Sequence, residues 1–357
     1  MATEVETQGA PQKSKKPSDS AFKQQRLPAW QPVLTAGTVL PTFFVIGILF
    51  IPVGVALLYF SDEVSEFVYD YTDCKQVGRN LTCAEYLKSN YSGSCNCEIE
   101  FELPKDFAGN VYMYYGLSNY YQNHRRYVKS RDDEQLLGRL SAEPSTDCVP
   151  FAYVEELGVN VPIAPCGAIA NSLFNDTLTL KFGDNDVPLL NTGIAWPSDK
   201  SIKFKNPPGN LSEALKHFSK PKFWQKELWQ LDPQNPENNG FQNEDLIVWM
   251  RTAALPSFRK LYRRIDHSKP NFQNGLKKGV YTLNIVYQYP VKSFDGSKKM
   301  ILSTTSLLGG KNPFLGIAYI VVGSICLVLG VALLFIHIKC SKSTSEMINV
   351  NPRTPYS

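Results

Sequence analysis

The sequence predicts a two-span membrane protein whose transmembrane helices flank a large, mainly antiparallel, sandwich-like β domain with a few short helices. Two apolar segments, residues 39–60 and 313–338, each exceed the roughly 20 residues that a helix needs to cross a bilayer. The intervening residues 61–312 read as short β-type runs separated by turn residues. Six of the eight cysteines fall in that stretch, which predicts disulfides and an oxidising compartment.

Charge around the spans predicts the orientation of the chain. Acidic and basic residues balance between the spans, so the net charge of +4 comes from the tails. Because positively charged flanks stay in the cytosol, residues 1–38 and 339–357 are predicted to be cytosolic tails and residues 61–312 a lumenal or extracellular domain. A neutral domain outside the cytosol also argues against a nucleic-acid partner.

The N-terminal tail has two parts. Residues 1–20 are polar and rich in Pro, Ser and Lys, a composition that predicts disorder. Residues 21–38 combine apolar and basic side chains next to the first span. Arg26 and Trp30 in this juxtamembrane segment are candidates either for an ordinary membrane-surface anchor or for contact with a cytosolic partner.

Four Asn-x-Ser/Thr sequons supply an independent argument for the orientation. All of them lie between the spans, where they predict N-glycosylation of Asn80, Asn90, Asn175 and Asn210. The pair Cys95 and Cys97 resembles a metal-ligand pair, but its spacing is too short and no histidine is near, so disulfides are favoured.

Period-two alternation predicts strands in the intervening domain, most clearly in "EIEFELP" and "GVYTLNIVYQYPV". Further strands are expected at "VYMYYGL", "TLTLKF", "SIKFKN", "EDLIVWMRTA" and "KKMILSTTSL". Helical turns are expected at "CGAIANSLF", "LSEALKHF" and "PSFRKLYRRI". The Asn- and Pro-rich segment at residues 229–245 is expected to be a long loop, either a contact loop or a solvated connector.

No catalytic, metal or cofactor motif emerges from the residues. "GGKNPF" lacks the first glycine and the Ser or Thr of a phosphate loop, and the four histidines lack metal-binding spacing. In place of the intramembrane ionisable groups of a pump or channel the spans offer only Ser324, Cys326 and small glycines, which argues against both classes. Glycines at a seven-residue spacing instead predict a stripe for close packing of a partner helix, and these are Gly316, Gly323 and Gly330.

One basic segment, "SNYYQNHRRYVKSRDD", is the remaining candidate for function. It places Arg125, Arg126, Lys129 and Arg131 just before Asp132 and Asp133. Its arginines can pair with these acids as part of the scaffold, or they can dock a partner. Sequence alone leaves both possibilities open.

Five blocks closely resemble the cell-cycle-control-protein-50 family, the accessory subunits of type IV P-type ATPases that act as phospholipid flippases. The blocks are "FKQQRLPAWQP" (22–32), "NVYMYYGLSNYYQNHRRYVKSRDD" (110–133), "IAPCGAIANSLFND" (163–176), "NEDLIVWMRTAALPSFRKLYR" (243–263) and "KNPFLGIAY" (311–319). The resemblance runs from about residue 21 to 338.

The resemblance implies a heterodimer with an ATPase α subunit that carries all catalysis, and this chain has no Asp-Lys-Thr-Gly phosphorylation motif. It implies that the subunit supports folding, exit from the endoplasmic reticulum and activity of its partner. Such complexes move aminophospholipids, chiefly phosphatidylserine, to the cytosolic leaflet. The expected locations are the endoplasmic reticulum, the Golgi or secretory vesicles, and the plasma membrane. The basic segment becomes a candidate docking or scaffold element.

The same resemblance implies the cysteine pairing and one glycosylation site. The pairs would be Cys74 with Cys97, Cys83 with Cys95, and Cys148 with Cys166. Asn175 matches a family glycosylation position, whereas Asn284 is followed by Ile-Val and is not a sequon. Two rival classes remain, a two-span ligand-gated channel subunit and a two-span lipid-binding receptor, although the spans lack the polar residues of a pore.

Overall fold

The computed structural model describes residues 18–27, 35–89, 93–156 and 158–340. The chain divides into two compact units, one of residues 1–55 with 317–357 and the other of residues 56–316. The two longest helices, α1 (Ala36–Glu63) and α9 (Pro313–Cys340), are long and apolar enough to cross a membrane. They contain the predicted spans, and α1 extends three residues beyond the predicted segment at each end.

The strands of the described residues form four antiparallel groups. They are β1 (Glu66–Asp70), β2 (Cys95–Leu103), β3 (Phe107–Ala108), β4 (Val111–Leu117), β5 (Tyr153–Glu156), β6 (Val159–Pro162), β7 (Thr177–Phe182), β8 (Asn185–Asp186), β9 (Leu189–Leu190), β10 (Phe258–Ile265), β11 (Gly275–Leu276), β12 (Gly279–Tyr287) and β13 (Lys298–Thr304). A five-stranded sheet has the order β1-β13-β4-β10-β9 and a four-stranded sheet the order β2-β12-β7-β8. Two small pairs, β3 with β11 and β5 with β6, complete the domain.

Short helices connect these strands. They are α2 (Cys83–Ser89), α3 (Arg125–Lys129), α4 (Asp133–Leu136), α5 (Ala168–Asn171), α6 (Pro197–Ile202), α7 (Leu211–Ala214) and α8 (Glu244–Met250). Turns of 3₁₀ helix lie at Thr146–Cys148, Leu228–Gln230, Pro236–Asn238, Gly240–Gln242 and Lys292–Phe294. A mainly antiparallel β domain between two apolar helices is the predicted fold class, which is confirmed.

The core lies between the two larger sheets, as period-two alternation requires. In β2 the glutamates are exposed while Phe101 and Leu103 are buried, and β12 buries every second residue from Tyr281 to Tyr287. Stacking across the sheets is direct, because the rings of Phe67 on β1 and Phe101 on β2 lie 4.7 Å apart. The alternation predictions for "EIEFELP" and "GVYTLNIVYQYPV" are therefore confirmed.

Three segments have a secondary structure opposite to the prediction. "EDLIVWMRTA" was expected as a strand but forms α8, because the Asn243 side chain caps the Leu246 N–H and two acids follow in the first turn. "SIKFKN" was also expected as a strand, yet it begins inside α6 and continues as irregular chain. "PSFRKLYRRI" was expected as a helix, but pairing with β4 and β9 makes it β10.

Three disulfides brace the domain. They join Cys74 to Cys97, Cys83 to Cys95, and Cys148 to Cys166. The sulfurs of Cys74, Cys83 and Cys97 lie within 4.8 Å of one another because two of the bonds are neighbours, so this cluster is oxidised and is not a metal site. The third disulfide closes the β5–β6 hairpin, which has a small core of its own around Ala152 and Ile163.

A buried ion pair links the two sheets. Lys298 on β13 donates to Asp176, which precedes β7, at 2.5 Å, and both side chains are fully buried. The other Asp176 oxygen accepts the Gln288 and Tyr289 N–H groups at 2.7 Å each, while Lys298 also donates to the Tyr289 carbonyl. The Lys298 ammonium lies 3.0 Å from the centre of the Tyr287 ring. Burial lowers the pKa of Lys298, and the Asp176 carboxylate opposes that shift.

The Asn-rich segment has a hydrogen-bond network around the buried Asn238, Asn239 and Asn243, while its prolines and Glu237 are exposed. Asn239 donates to the Trp229 carbonyl and accepts from the Asp232 N–H, and Asn238 donates to Asp232. The Asn243 side chain donates to the Asn238 carbonyl. These amides add to the backbone hydrogen bonds of the 3₁₀ turns in the segment.

Candidate functional site

Helix α3 presents most of the predicted basic segment to solvent. Arg125, Arg126 and Lys129 are all exposed. The other two residues of the helix, Tyr127 and Val128, are partly buried. Tyr121, which precedes the helix, is 58 % exposed. We call Tyr121, Arg125, Arg126 and Lys129 the cationic face.

A rigid support holds this cationic face in place. The buried Gln122 accepts the Ala253 N–H at 2.9 Å, and the Tyr127 hydroxyl lies 2.8 Å from the Ser172 hydroxyl. Burial raises the pKa of Tyr127, so its hydroxyl stays protonated. The Ser130 hydroxyl accepts the Ala168 N–H at 2.9 Å and fixes the C-terminal end of α3 to α5. Exposed charges on an anchored helix suit recognition better than charges on a loose loop.

Pairing between the arginines and the two aspartates is only partial. Arg131 contacts Asp133 at 3.0 Å. Asp132 instead caps α4, accepting from the Glu134, Gln135 and Ser145 N–H groups, so it is committed to the backbone. Among the described residues, Arg125, Arg126 and Lys129 make no ion pair, which leaves three unpaired cations on one short helix.

A groove of about 470 Å³ adjoins Arg131. Its charged lining includes Asp133, Asp199, Lys203 and Arg251, and its apolar lining includes Ile202. Asp199 accepts from Lys203 at 2.8 Å and from Arg251 at 2.7 Å. Arg251 also lies 4.1 Å from the centre of the Trp196 ring. Sequence reasoning missed this cluster because Arg251 lies 52 positions from Asp199, although Trp196 and Lys203 are near Asp199 in the chain.

We expect Asp199 to make the domain sensitive to acid. The Lys203 ammonium, followed by the Arg251 guanidinium, holds the pKa of Asp199 below its ordinary value. The stabilisation is therefore complete above the unfolded-state pKa of about 3.9 and is lost as the pH falls through the lower folded-state value. Asp199→Asn should cost roughly 1 kcal/mol at pH 7, because both cations are largely exposed.

Unfolding curves of the wild-type chain and Asp199→Asn between pH 7 and pH 2 check this prediction. Their difference in stability should shrink below about pH 4, where the Asp199 carboxylate is protonated first in the unfolded chain and, at lower pH, in the folded chain as well. A difference that stays constant into acid would show that the carboxylate charge is not what stabilises the cluster.

The glycine stripe contacts the first apolar helix of the same chain. A Cβ on Gly323 would lie 2.9 Å from Ile51, and one on Gly330 would lie 3.4 Å from Phe44. Gly47 on α1 would in turn overlap Leu327. Gly316 is also buried. Gly323 and Gly330 therefore pack closely against α1 of the same chain, and contact of the stripe with a helix of a partner subunit stays a prediction.

The remaining predicted site residues lie apart from the cationic face in the sequence. Arg26 pairs with Asp19, while Trp30 and Asn90 fall outside the described residues. Asn80 and Asn210 are exposed, and Asn210 also caps α7. Asn175 is partly buried, and its Oδ1 atom has no hydrogen-bond partner in the part of the chain that the structure describes.

Comparison with known proteins gives a consistent result along nearly the whole chain. The model of the LEM3 (ligand-effect modulator 3) family / CDC50 family matches residues 57–343. Cell cycle control protein 50A of Mus musculus is 55% identical over 348 residues, covering 94% of this chain and 93% of the relative. Cell cycle control protein 50B of Homo sapiens is 47% identical over 335 residues, covering 90% and 94%.

A plant protein matches over a similar length. ALA-interacting subunit 3 of Arabidopsis thaliana is 41% identical over 335 residues, covering 93% of this chain and 89% of the relative. Together with the two apolar helices, the three disulfides and the antiparallel domain, these matches confirm the resemblance seen in the sequence. The chain therefore belongs to the LEM3/CDC50 family.

Proposed function

We propose that this chain is the non-catalytic accessory subunit of a phospholipid-translocating type IV P-type ATPase. The observation that carries the proposal is the family match over residues 57–343, together with a relative named as an interacting subunit. The ATPase α subunit would supply phosphorylation and transport. This chain would support folding of its partner, its exit from the endoplasmic reticulum and its activity toward aminophospholipids such as phosphatidylserine.

The proposed topology places both tails in the cytosol and residues 61–312 in the lumen or outside the cell. Three disulfides in that domain support an oxidising compartment, and four sequons in the same stretch fit glycosylation there. The chain would then travel from the endoplasmic reticulum through the Golgi to vesicles or the plasma membrane. Membrane lipids would surround α1 and α9.

The cationic face is the proposed docking element of the ectodomain. Three cations without acidic partners among the described residues, held on an anchored helix, leave their charge available to an acidic surface. Charge complementarity of this kind speeds association and selects partners. Arg26 and Trp30 remain proposed contacts on the cytosolic side. Arg131 follows the cationic face in the sequence and pairs with Asp133.

Affinity purification of the tagged full-length chain in mild detergent tests the proposed function. Mass spectrometry and native mass should reveal a large P-type ATPase in a one-to-one complex. A homo-oligomer without an ATPase would contradict the proposal and would favour a channel subunit instead.

Charge reversal of the cationic face should weaken the complex while the fold survives. Arg125→Glu with Arg126→Glu replaces two exposed cations, so we expect at least a tenfold loss of co-purified ATPase, which corresponds to about 1.4 kcal/mol. Lys277→Glu with Lys278→Glu is the matched control, because it changes the charge equally at another exposed site. Both variants should show unchanged thermal unfolding and disulfides.

Two results would contradict the docking role. Equal binding by both double variants would show that the cationic face makes no contact that matters. Misfolding and retention of the Arg125 and Arg126 variant alone would assign these arginines to the scaffold.

A further inference from the structure

The fold does not supply the hydrogen bond that the buried side-chain oxygen of an unmodified Asn175 needs. Its Oδ1 atom is buried and has no hydrogen-bond partner in the described part of the chain. An unsatisfied buried amide oxygen costs about 1–3 kcal/mol. The residue borders two adjoining cavities of about 230 and 490 Å³, both lined by Trp224, Gln225 and Gln288. Asn175 as a whole is half-buried, so part of the residue reaches solvent.

The two residues that complete the sequon are immobilised by the fold. Asp176 is fully buried, and its oxygens are taken by Lys298 and by the Gln288 and Tyr289 N–H groups. Thr177 begins β7, where its side chain is exposed but its backbone pairs with Val286 of β12. Asp176, the middle residue of the sequon, is therefore one partner of the buried ion pair that joins the two sheets.

Glycan transfer requires access to all three residues of a sequon. The Asn Nδ2 forms a bond to the first sugar carbon of a lipid-linked oligosaccharide diphosphate. The bond from that carbon to the diphosphate oxygen breaks, the diphosphate leaves with the electron pair, and a base takes the Nδ2 proton. The transferase must lift the Asn and the hydroxyl residue into its own active site. Here that would require breaking the Asp176–Lys298 pair and the first pairing of β7.

The other two described sequons contain no buried ion pair, and their hydrogen bonds lie at the exposed surface. Asn80 and Leu81 are exposed, and Thr82 of that sequon is held by an isolated bridge to Lys75 and by surface hydrogen bonds to Glu85. Asn210 is an exposed residue at the start of the four-residue helix α7, and its Oδ1 bonds only to Ser212. Both sites stay within reach of an enzyme after the sheets have formed.

We propose that Asn175 receives its glycan only before the two sheets close, whereas Asn80 and Asn210 can also be modified on the folded domain. Folding then encloses the base of the glycan, and the chain beyond it leaves through the cavities beside Gln288. This inference rests on the proposed extracytosolic position of residues 61–312, because a cytosolic domain would carry no glycan.

Reversible inhibition of the oligosaccharide transferase in cells that express the full chain tests the order of events. The chain is made under inhibition, allowed to complete its disulfides, and then released from the inhibitor while new synthesis is blocked. Site-resolved mass spectrometry of glycopeptides should show recovered occupancy at Asn80 and Asn210 and a loss at Asn175. Untreated cells should show Asn175 occupied.

Two variants keep the result interpretable. Asp176→Asn preserves the sequon but removes the buried carboxylate, so Asn175 should regain occupancy after release of the inhibitor. Asp186→Asn is the matched control, because it removes a carboxylate from the exposed Lys181–Asp186 pair nearby and should behave as the wild type.

Each contrary outcome has a distinct meaning. Recovery at wild-type Asn175 equal to that at Asn80 and Asn210, no occupancy of Asn175 in untreated cells, or no recovery at any of the three sites would overturn the inference. Empty sequons at Asn80, Asn175 and Asn210 in untreated cells would overturn the extracytosolic topology as well. An intact ATPase complex with a recovered Asn175 would overturn only the inference and leave the proposed function standing.

Discussion

Asp176→Asn is expected to destabilise the ectodomain by about 3–5 kcal/mol, because it leaves the Lys298 ammonium buried without a counter-charge. Water cannot hydrate the Lys298 ammonium in place of the lost carboxylate, since both side chains are fully buried. Asn can accept a hydrogen bond but carries no charge. A loss of this size is a large part of the stability of a typical domain, so we expect retention of the variant in the endoplasmic reticulum.

Thermal or denaturant unfolding of the purified full chain, together with glycan maturation in cells, measures this effect. The control is Asp186→Asn, whose partner Lys181 is 3.9 Å away and whose side chain is 81 % exposed. Exposed pairs of this kind contribute at most about 1 kcal/mol. Equal stabilities of the two variants would show that the sheets do not depend on the buried pair.

Gly167→Ala should be the second most damaging single change, and it should act on the cationic face. Gly167 has φ 99° and ψ 165°, a region that is essentially restricted to glycine and costs other residues about 1–3 kcal/mol. A Cβ would also overlap the carbonyl oxygen of Ser130, the residue that ends α3. Relieving that overlap costs a further 1–3 kcal/mol or so and displaces the end of the helix.

Stability and ATPase binding measured together separate this variant from the charge reversal. Gly167→Ala should lower both, whereas Arg125→Glu with Arg126→Glu should lower binding alone. Gly109→Ala provides the control, because Gly109 also has a positive φ, of 80°, but has no atom within 4 Å of an added Cβ. Unchanged stability of Gly167→Ala relative to Gly109→Ala would mean that Ser130 moves without cost.

Local alternation of apolar and polar residues was enough to predict the strands that bury one face and expose the other. The glutamates of β2 alternate with buried residues, so the strand and its orientation could be read directly. Segments α8 and β10 were predicted in the opposite states, for a physical reason. The β-rich composition of α8 concealed a capping Asn243, and the helix-favouring residues of β10 are overridden by pairing on both sides.

Contacts between distant segments could not be predicted from spacing. The Asp176–Lys298 pair joins residues 122 positions apart, and nothing in either local sequence marks it. The cationic face was visible as a basic run, yet its support by Gln122, Ser130 and Ser172 depends on other segments. Disulfide pairing came from the family resemblance, because adjacent cysteine pairs admit more than one connectivity.

The β5–β6 hairpin is packed separately from the rest of the domain. Its small cluster around Ala152 and Ile163 is separate from the core between the sheets, so opening the hairpin forfeits few of the apolar contacts that hold those sheets together. The Cys148–Cys166 bond limits how far its ends can part. The hairpin is thus a tethered element whose opening would break its bonds to Ser219 but would leave the apolar core between the two sheets intact.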